Sequence, residues 1–264
     1  MRVRRTRTTA LVLVAVIVGA GAAILTSLAI DNGGTAAAGS PRVEHVASSS
    51  PEEIYRDNAR GVVVITDNQA ELVPPTIFMP GGKQEVRALG SGFVIDPRGD
   101  IVTNDHVVQG ATHIRVSFSG SASYPAKIVG TDPSSDLAVL RVAAPSSALH
   151  PLTFGDSSAV EVGDTVFAIG NPFGLERTMT AGIVSALGRD INAPNGMTIP
   201  NAIQTDAPIN HGNSGGPLLD RFGRVIAVNS QIEGGTVDAN VGIGFAIPSA
   251  TARSVVDRLI SEHA

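Results

Sequence analysis

The sequence predicts an all-β protein of two packed six-stranded antiparallel barrels, with a closing helix at the C-terminal end. Three observations lead there. Gly, Val, Ile and Thr are abundant, Trp is absent and aromatics make up only 4%, a balance that suits pleated strands and tight turns better than helices. From Gly61 onward, apolar runs are short and punctuated by turn residues. These runs fall into two sets of six, divided by a linker at Ala143 to Pro151. With 264 residues and 43% hydrophobic content, the chain has enough material to bury such a core.

In the first set the expected strands are Val62 to Thr66, Gly90 to Asp96, Asp100 to Thr103, Ile114 to Phe118, Ala126 to Gly130 and Leu137 to Val142, about residues 61–142. Pro97 to Asp100 supplies a hairpin turn between two of them. The second set, about residues 152–247, comprises Thr165 to Ile169, Met179 to Leu187, Ala202 to Thr205, Pro217 to Leu219, Arg224 to Asn229 and Gly242 to Ile247. Val255, Val256, Leu259 and Ile260 then recur at helical spacing over 249–261, with Ser249 as N-cap. Two connections are long. Asp67 to Leu89 reads as a loop holding Pro74, Pro75 and Pro80, and Gln231 to Val241 as a Gly-rich loop able to line a pocket.

Before the barrels, Met1 to Thr9 carries four arginines and no acid, and the 21 residues Ala10 to Ile30 carry no charge. That length matches the ~20 residues of a membrane-spanning helix. The leading arginines place the N-terminus in the cytoplasm and the rest outside. A cleaved signal peptide competes, with small residues at Ala36 to Ala38, but the apolar run exceeds the ~7 to 15 residues usual for one. The expectation is therefore a cytoplasmic tail (1–9), a signal anchor (10–30), a flexible linker (31–50) and a folded region (51–264) opening on a short helix through Ile54 and Tyr55. With the four leading arginines set aside, the 19 basic residues fall to 15 against 24 acidic ones. That balance argues against a nucleic-acid partner. There is no cysteine, hence no disulfide framework and no thiol nucleophile.

Chemistry concentrates in the run Asn210, His211, Gly212, Asn213, Ser214, Gly215, Gly216, Pro217. A serine attacks a carbonyl only with a base within hydrogen-bond reach and N–H donors for the oxyanion. Gly212, Gly215 and Gly216 let successive N–H groups point into one concavity. The base and its orienter belong in the first barrel: His106 follows a strand, and Asp136 heads the apolar run Leu137 to Leu140. Asp105 is passed over because adjacent side chains point apart. A zinc site is not expected, since His106 has no second His one helical turn away. No cofactor is called for.

Taken together these residues carry a family resemblance. GSGFVID (Gly90 to Asp96), TNDHVV (Thr103 to Val108), SSDLAVL (Ser134 to Leu140), GNPFGL (Gly170 to Leu175), TAGIVSALGR (Thr180 to Arg189), QTDAPINHGNSGGPL (Gln204 to Leu218) and GIGFAIP (Gly242 to Pro248) resemble the HtrA (DegP-like) branch of the chymotrypsin-fold serine proteases. The resemblance covers roughly Pro51 to the C-terminus. It implies His106 as general base and then acid, Asp136 as its orienter and Ser214 as nucleophile. The N–H groups of Gly212 and Ser214 would form the oxyanion hole. Substrates would be unfolded or misfolded polypeptides bound as an added strand. Where trypsin-like enzymes carry an acid that selects Lys or Arg, this chain has Pro208; Ile209, Ser230 and Ile232 are the implied pocket walls, so a small or medium aliphatic P1 residue is expected. A homotrimer is a family expectation. His211, Pro208 and a chain that stops at Ala264 without a PDZ domain are the departures. The reading from another class is a non-catalytic, membrane-tethered chaperone or scaffold on a protease fold.

Overall fold

Short runs of Val and Ile between turn residues do pair as expected, and they close on themselves twice. The computed structural model describes residues 49–73, 82–118, 122–171, 177–210, 212–230 and 242–263. The first barrel comprises β1 (Val62–Val73), β2 (Gly82–Val94), β3 (Asp100–Thr103), β4 (Arg115–Ser117), β5 (Ser123–Asp132) and β6 (Leu137–Val142), joined in the order β1-β2-β3-β6-β5-β4. The second comprises β7 (Thr165–Gly170), β8 (Thr178–Asn192), β9 (Thr198–Thr205), β10 (Pro217–Asp220), β11 (Val225–Ser230) and β12 (Gly244–Pro248), in the order β10-β11-β12-β9-β8-β7. Every pairing is antiparallel. Closure leaves neither sheet an open edge.

Alternation along the strands produces three apolar cores. Val63, Ile65, Val94, Ile101 and Leu140 fill the first barrel, and Val166, Val184, Ile203, Leu218 and Ile226 the second. A third cluster, including Phe93, Leu137, Phe167, Leu219, Val228 and Ile247, joins residues of both barrels. The C-terminal helix α3 (Ser249–Glu262) contributes Val255, Val256 and Leu259 to that joint. It starts on the second barrel, where Ser249 Oγ donates to the Gly155 carbonyl at 3.0 Å, and ends on the first, where Arg258 meets Asp132 at 2.6 Å. The two barrels are therefore joined along a packed apolar seam.

Several expectations need correction. Asp67 to Leu89 is not a loop throughout: β1 and β2 stay paired out to Val73 opposite Gly82, because main-chain bonding continues where side-chain alternation gives no signal. The β8–β9 hairpin is also longer than read. Ile191, Ala193 and Ile199 are buried near its end and hold it against the joint. Ser249 is the first helical residue and Pro248 the N-cap. The Asp96 turn matches its reading, with Gly99 at φ +89° and Asp96 Oδ1 accepting from the N–H groups of Arg98 and Asp100. The first helix, α1 (Pro51–Asn58), is set by a capping box between Ser50 and Glu53. Among the described residues no helix is long and apolar enough to cross a membrane. The expected span at Ala10 to Ile30 and the Gln231 to Val241 loop lie outside them.

Asp132 gives the seam a pH dependence. Burial raises its proton affinity, but hydrogen bonds from the Ser134 hydroxyl and N–H, with the charge of Arg258, outweigh it and hold the carboxyl below its ordinary range. A depressed folded value contributes stability above the unfolded value of about 4, and that contribution is lost as pH falls through the folded value. Asp132→Asn is thus expected to lower the denaturant midpoint near neutral pH, and the difference from wild type should shrink in titrations below about pH 4.

Candidate active site

Strand β3 ends in Thr103, and Asn104 caps a single helical turn, α2 (Asp105–Val108), that carries His106. Val107 and Val108 anchor that turn in the first-barrel core. Gly90 allows the approach, since a Cβ there would lie 2.5 Å from Val107 Cγ1. On the other side, Asp136 heads β6 in the left-handed region at φ +52°, a conformation Asp tolerates better than most residues. Its carbonyl accepts from Asn104 Nδ2 at 2.9 Å, which ties the two turns together.

The Asp136 carboxylate is fully buried and surrounded by donors. His106 Nδ1 lies 2.9 Å from Oδ2 and 3.0 Å from Oδ1, and the His106 backbone N–H donates to Oδ1 at 3.0 Å. From the second barrel, Ser230 Oγ donates to Oδ2 at 3.1 Å. Such an arrangement puts the proton on Nδ1 and leaves Nε2 as the basic nitrogen. Ser230, expected as a pocket wall, thus has its hydroxyl turned to Asp136. Next door, Asp105 is buried; burial and then the charge of Asp136 raise its proton affinity, against the pull of His106 and a hydrogen bond from Thr131.

Ser214 lies in the turn before β10, 3% exposed. Its Oγ has no hydrogen-bond partner, so the bond to His106 is not made in this state. A buried hydroxyl left unpaired costs about 1–3 kcal/mol, and such exceptions are often functional. The turn itself is strongly held. Ser91 N–H donates to the Ser214 carbonyl, and Gly215 N–H to the Asn229 carbonyl, both at 2.9 Å. Ser91 Oγ donates to the Gly212 carbonyl at 2.6 Å while accepting from the Asn171 N–H at 2.9 Å. With Gly212 at φ +97° and its carbonyl turned inward, neither the Gly212 nor the Ser214 N–H has an acceptor among the described residues.

Beside the serine turn, Ile209 is buried against Gly244, where a Cβ would lie 2.9 Å from Ile209 Cδ1. Pro208 is exposed, and its carbonyl accepts from Thr180 Oγ1 at 2.9 Å. Ile232 and His211 lie outside the described residues. The sequence reading missed Ser91, Asn171 and Asn104 as supports. Their signal was present as polar residues flanking glycine or the histidine in GSGFVID, GNPFGL and TNDHVV.

Residues 90–228 match the family model described as a trypsin-like peptidase domain. Protease Do-like 1 of Arabidopsis thaliana, a chloroplastic protein, is 42% identical over 234 residues, covering 84% of this chain and 53% of that protein. A probable periplasmic serine endoprotease DegP-like of Chlamydia trachomatis is 50% identical over 173 residues, 66% of this chain and 34% of that protein. The chain therefore spans between a third and about half of these relatives. Among solved structures, HtrA-type protease AlgW with a tripeptide is 36% identical with a TM-score of 0.70, covering 81% of this chain and 64% of that one. By its trypsin-like domain, these relatives and a two-barrel fold of the chymotrypsin type, the chain belongs to the HtrA (DegP-like) family of serine proteases.

Proposed function

We propose that this chain is a serine endopeptidase that cleaves unfolded or misfolded polypeptides through Ser214, His106 and Asp136. The observation that carries it is the His106–Asp136 pair at 2.9 Å, locked by Ser230 from the opposite barrel. In the reaction Ser214 Oγ attacks the substrate carbonyl carbon and its proton passes to His106 Nε2. Asp136 stabilises the imidazolium, and the N–H groups of Gly212 and Ser214 take the oxyanion. Collapse breaks the C–N bond as His106 returns the proton to the leaving amine. Water, deprotonated by His106, then releases the acyl group. Because Ser214 Oγ is unpaired here, the Ser–His bond forms on substrate binding, as serine sites without substrate often require. Removing one oxyanion donor would cost about 3 kcal/mol.

The pocket reading follows from Pro208, Ile209, Ser230 and Ile232. Pro208 supplies no acid for Lys or Arg, and Ile209 takes up the space before Gly244. Cleavage sites mapped by mass spectrometry in unfolded casein are expected to follow Val, Ala, Ile or Leu; predominant cleavage after Lys or Arg would refute this pocket. The remaining proposals concern place and assembly. A signal anchor at Ala10 to Ile30 would hold the protease domain outside the cytoplasm, an arrangement supported by the flanking arginines and by relatives named periplasmic. Homotrimer assembly is proposed from the family alone, and its check is the mass in solution.

The unpaired Ser214 hydroxyl favours one rival, a tethered chaperone on the protease fold. Ser214→Ala separates the two. An endopeptidase loses casein cleavage entirely, whereas a chaperone never cleaves and its suppression of aggregation is untouched by the substitution.

A further inference from the structure

Asp105 is a buried ionisable group that the triad does not use. It stands at the first position of α2, is 3% exposed, and its Oδ2 has no hydrogen-bond partner. The charged groups facing it are His106 on its own turn, Asp136 ahead of β6, and Asp132 at the end of β5, which is paired with Arg258 of α3. Asp136 is already committed to the ring, the His106 N–H and Ser230. Two buried carboxylates therefore neighbour one imidazole, only one of them bonded to it.

We propose that Asp105 is a further positioning residue for the reaction, a buried carboxylate whose charge favours the imidazolium of His106 beyond what Asp136 supplies. The inference rests on His106 being the general base. A buried carboxylate with an unpaired oxygen is costly, and repulsion from Asp136 adds to that cost. When His106 takes the serine proton, the His–Asp pair becomes neutral and the repulsion on Asp105 is relieved. Coupling is reciprocal, so whatever the imidazolium gives Asp105, Asp105 gives the imidazolium. Being fixed by burial, the charge needs no reorganisation during the step.

Asp105→Asn removes the charge at nearly constant volume. In the full chain carrying Ser214→Ala, ¹³C-histidine NMR, with His106→Gln assigning the signal, should show the His106 ring titrating lower by on the order of one pH unit. In the chain retaining Ser214, the acid limb of the rate of fluorophosphonate labelling should move to lower pH with it, and the plateau should fall about tenfold. An unmoved His106 midpoint overturns the proposal, whatever the labelling shows. A midpoint that moves in a protein never labelled at any pH leaves the coupling standing and overturns His106 as the base. Asp105→Ser, which also removes the charge, carries the same comparison if the Asn variant does not fold.

Discussion

Asp136→Asn is expected to lower kcat by about 10,000-fold with KM little changed. The carboxylate accepts from the His106 N–H, from His106 Nδ1 and from Ser230 Oγ. An amide keeps one acceptor and turns a donor toward the ring, so His106 is pushed to the tautomer with its proton on Nε2. That nitrogen can then no longer take the serine proton. The tie from Asn104 reaches the Asp136 carbonyl, which the substitution leaves in place. Folding should therefore survive, and a thermal scan beside steady-state kinetics on an unfolded substrate checks both halves. A loss below tenfold in a folded variant would remove Asp136 from the mechanism.

Gly215→Ala should be as damaging for a different reason. Gly215 sits at φ +81°, and a Cβ there would lie 2.2 Å from the Ser91 carbonyl oxygen and 2.4 Å from Thr103 Oγ1. Those atoms are bonded to each other at 2.7 Å and belong to the first barrel, so they cannot both yield. The serine turn must instead lift away, breaking Ser91 N–H to Ser214 carbonyl and Gly215 N–H to Asn229 carbonyl. A displacement of about 1 Å is enough to cost 100-fold in rate. Labelling of Ser214 should fall by at least that factor, while far-UV circular dichroism still reports two barrels. Stability should drop by about 1–3 kcal/mol from backbone strain alone.

The same contacts show what the sequence could and could not convey. His106, Asp136 and Ser214 stand out in the sequence because each lies in a run whose residue types serve one chemical need, and the fold brings the first two to 2.9 Å. Twelve strands were legible because apolar runs between turn residues record which positions face a core. The supports were not. Ser230 and Asp136 are 94 residues apart in the chain, and Ser91 and Gly212 are 121 apart; a hydroxyl that acts at such a distance leaves no periodicity. Strand ends failed for a related reason. β8 runs on through Arg189, Asp190 and Asn192, where exposure breaks the alternation but main-chain pairing with β9 continues to Thr198. Asp105 was passed over by a rule about adjacent side chains, which is silent on burial.

A fluorophosphonate probe reacts with a serine that is both activated and facing an oxyanion site, so labelling of the full chain reads whether Ser214 is the nucleophile. One probe per chain is expected, none in Ser214→Ala and a severely slowed reaction in His106→Ala. Folded protein that stays unlabelled at every pH, or labelling that persists without Ser214, would contradict that expectation.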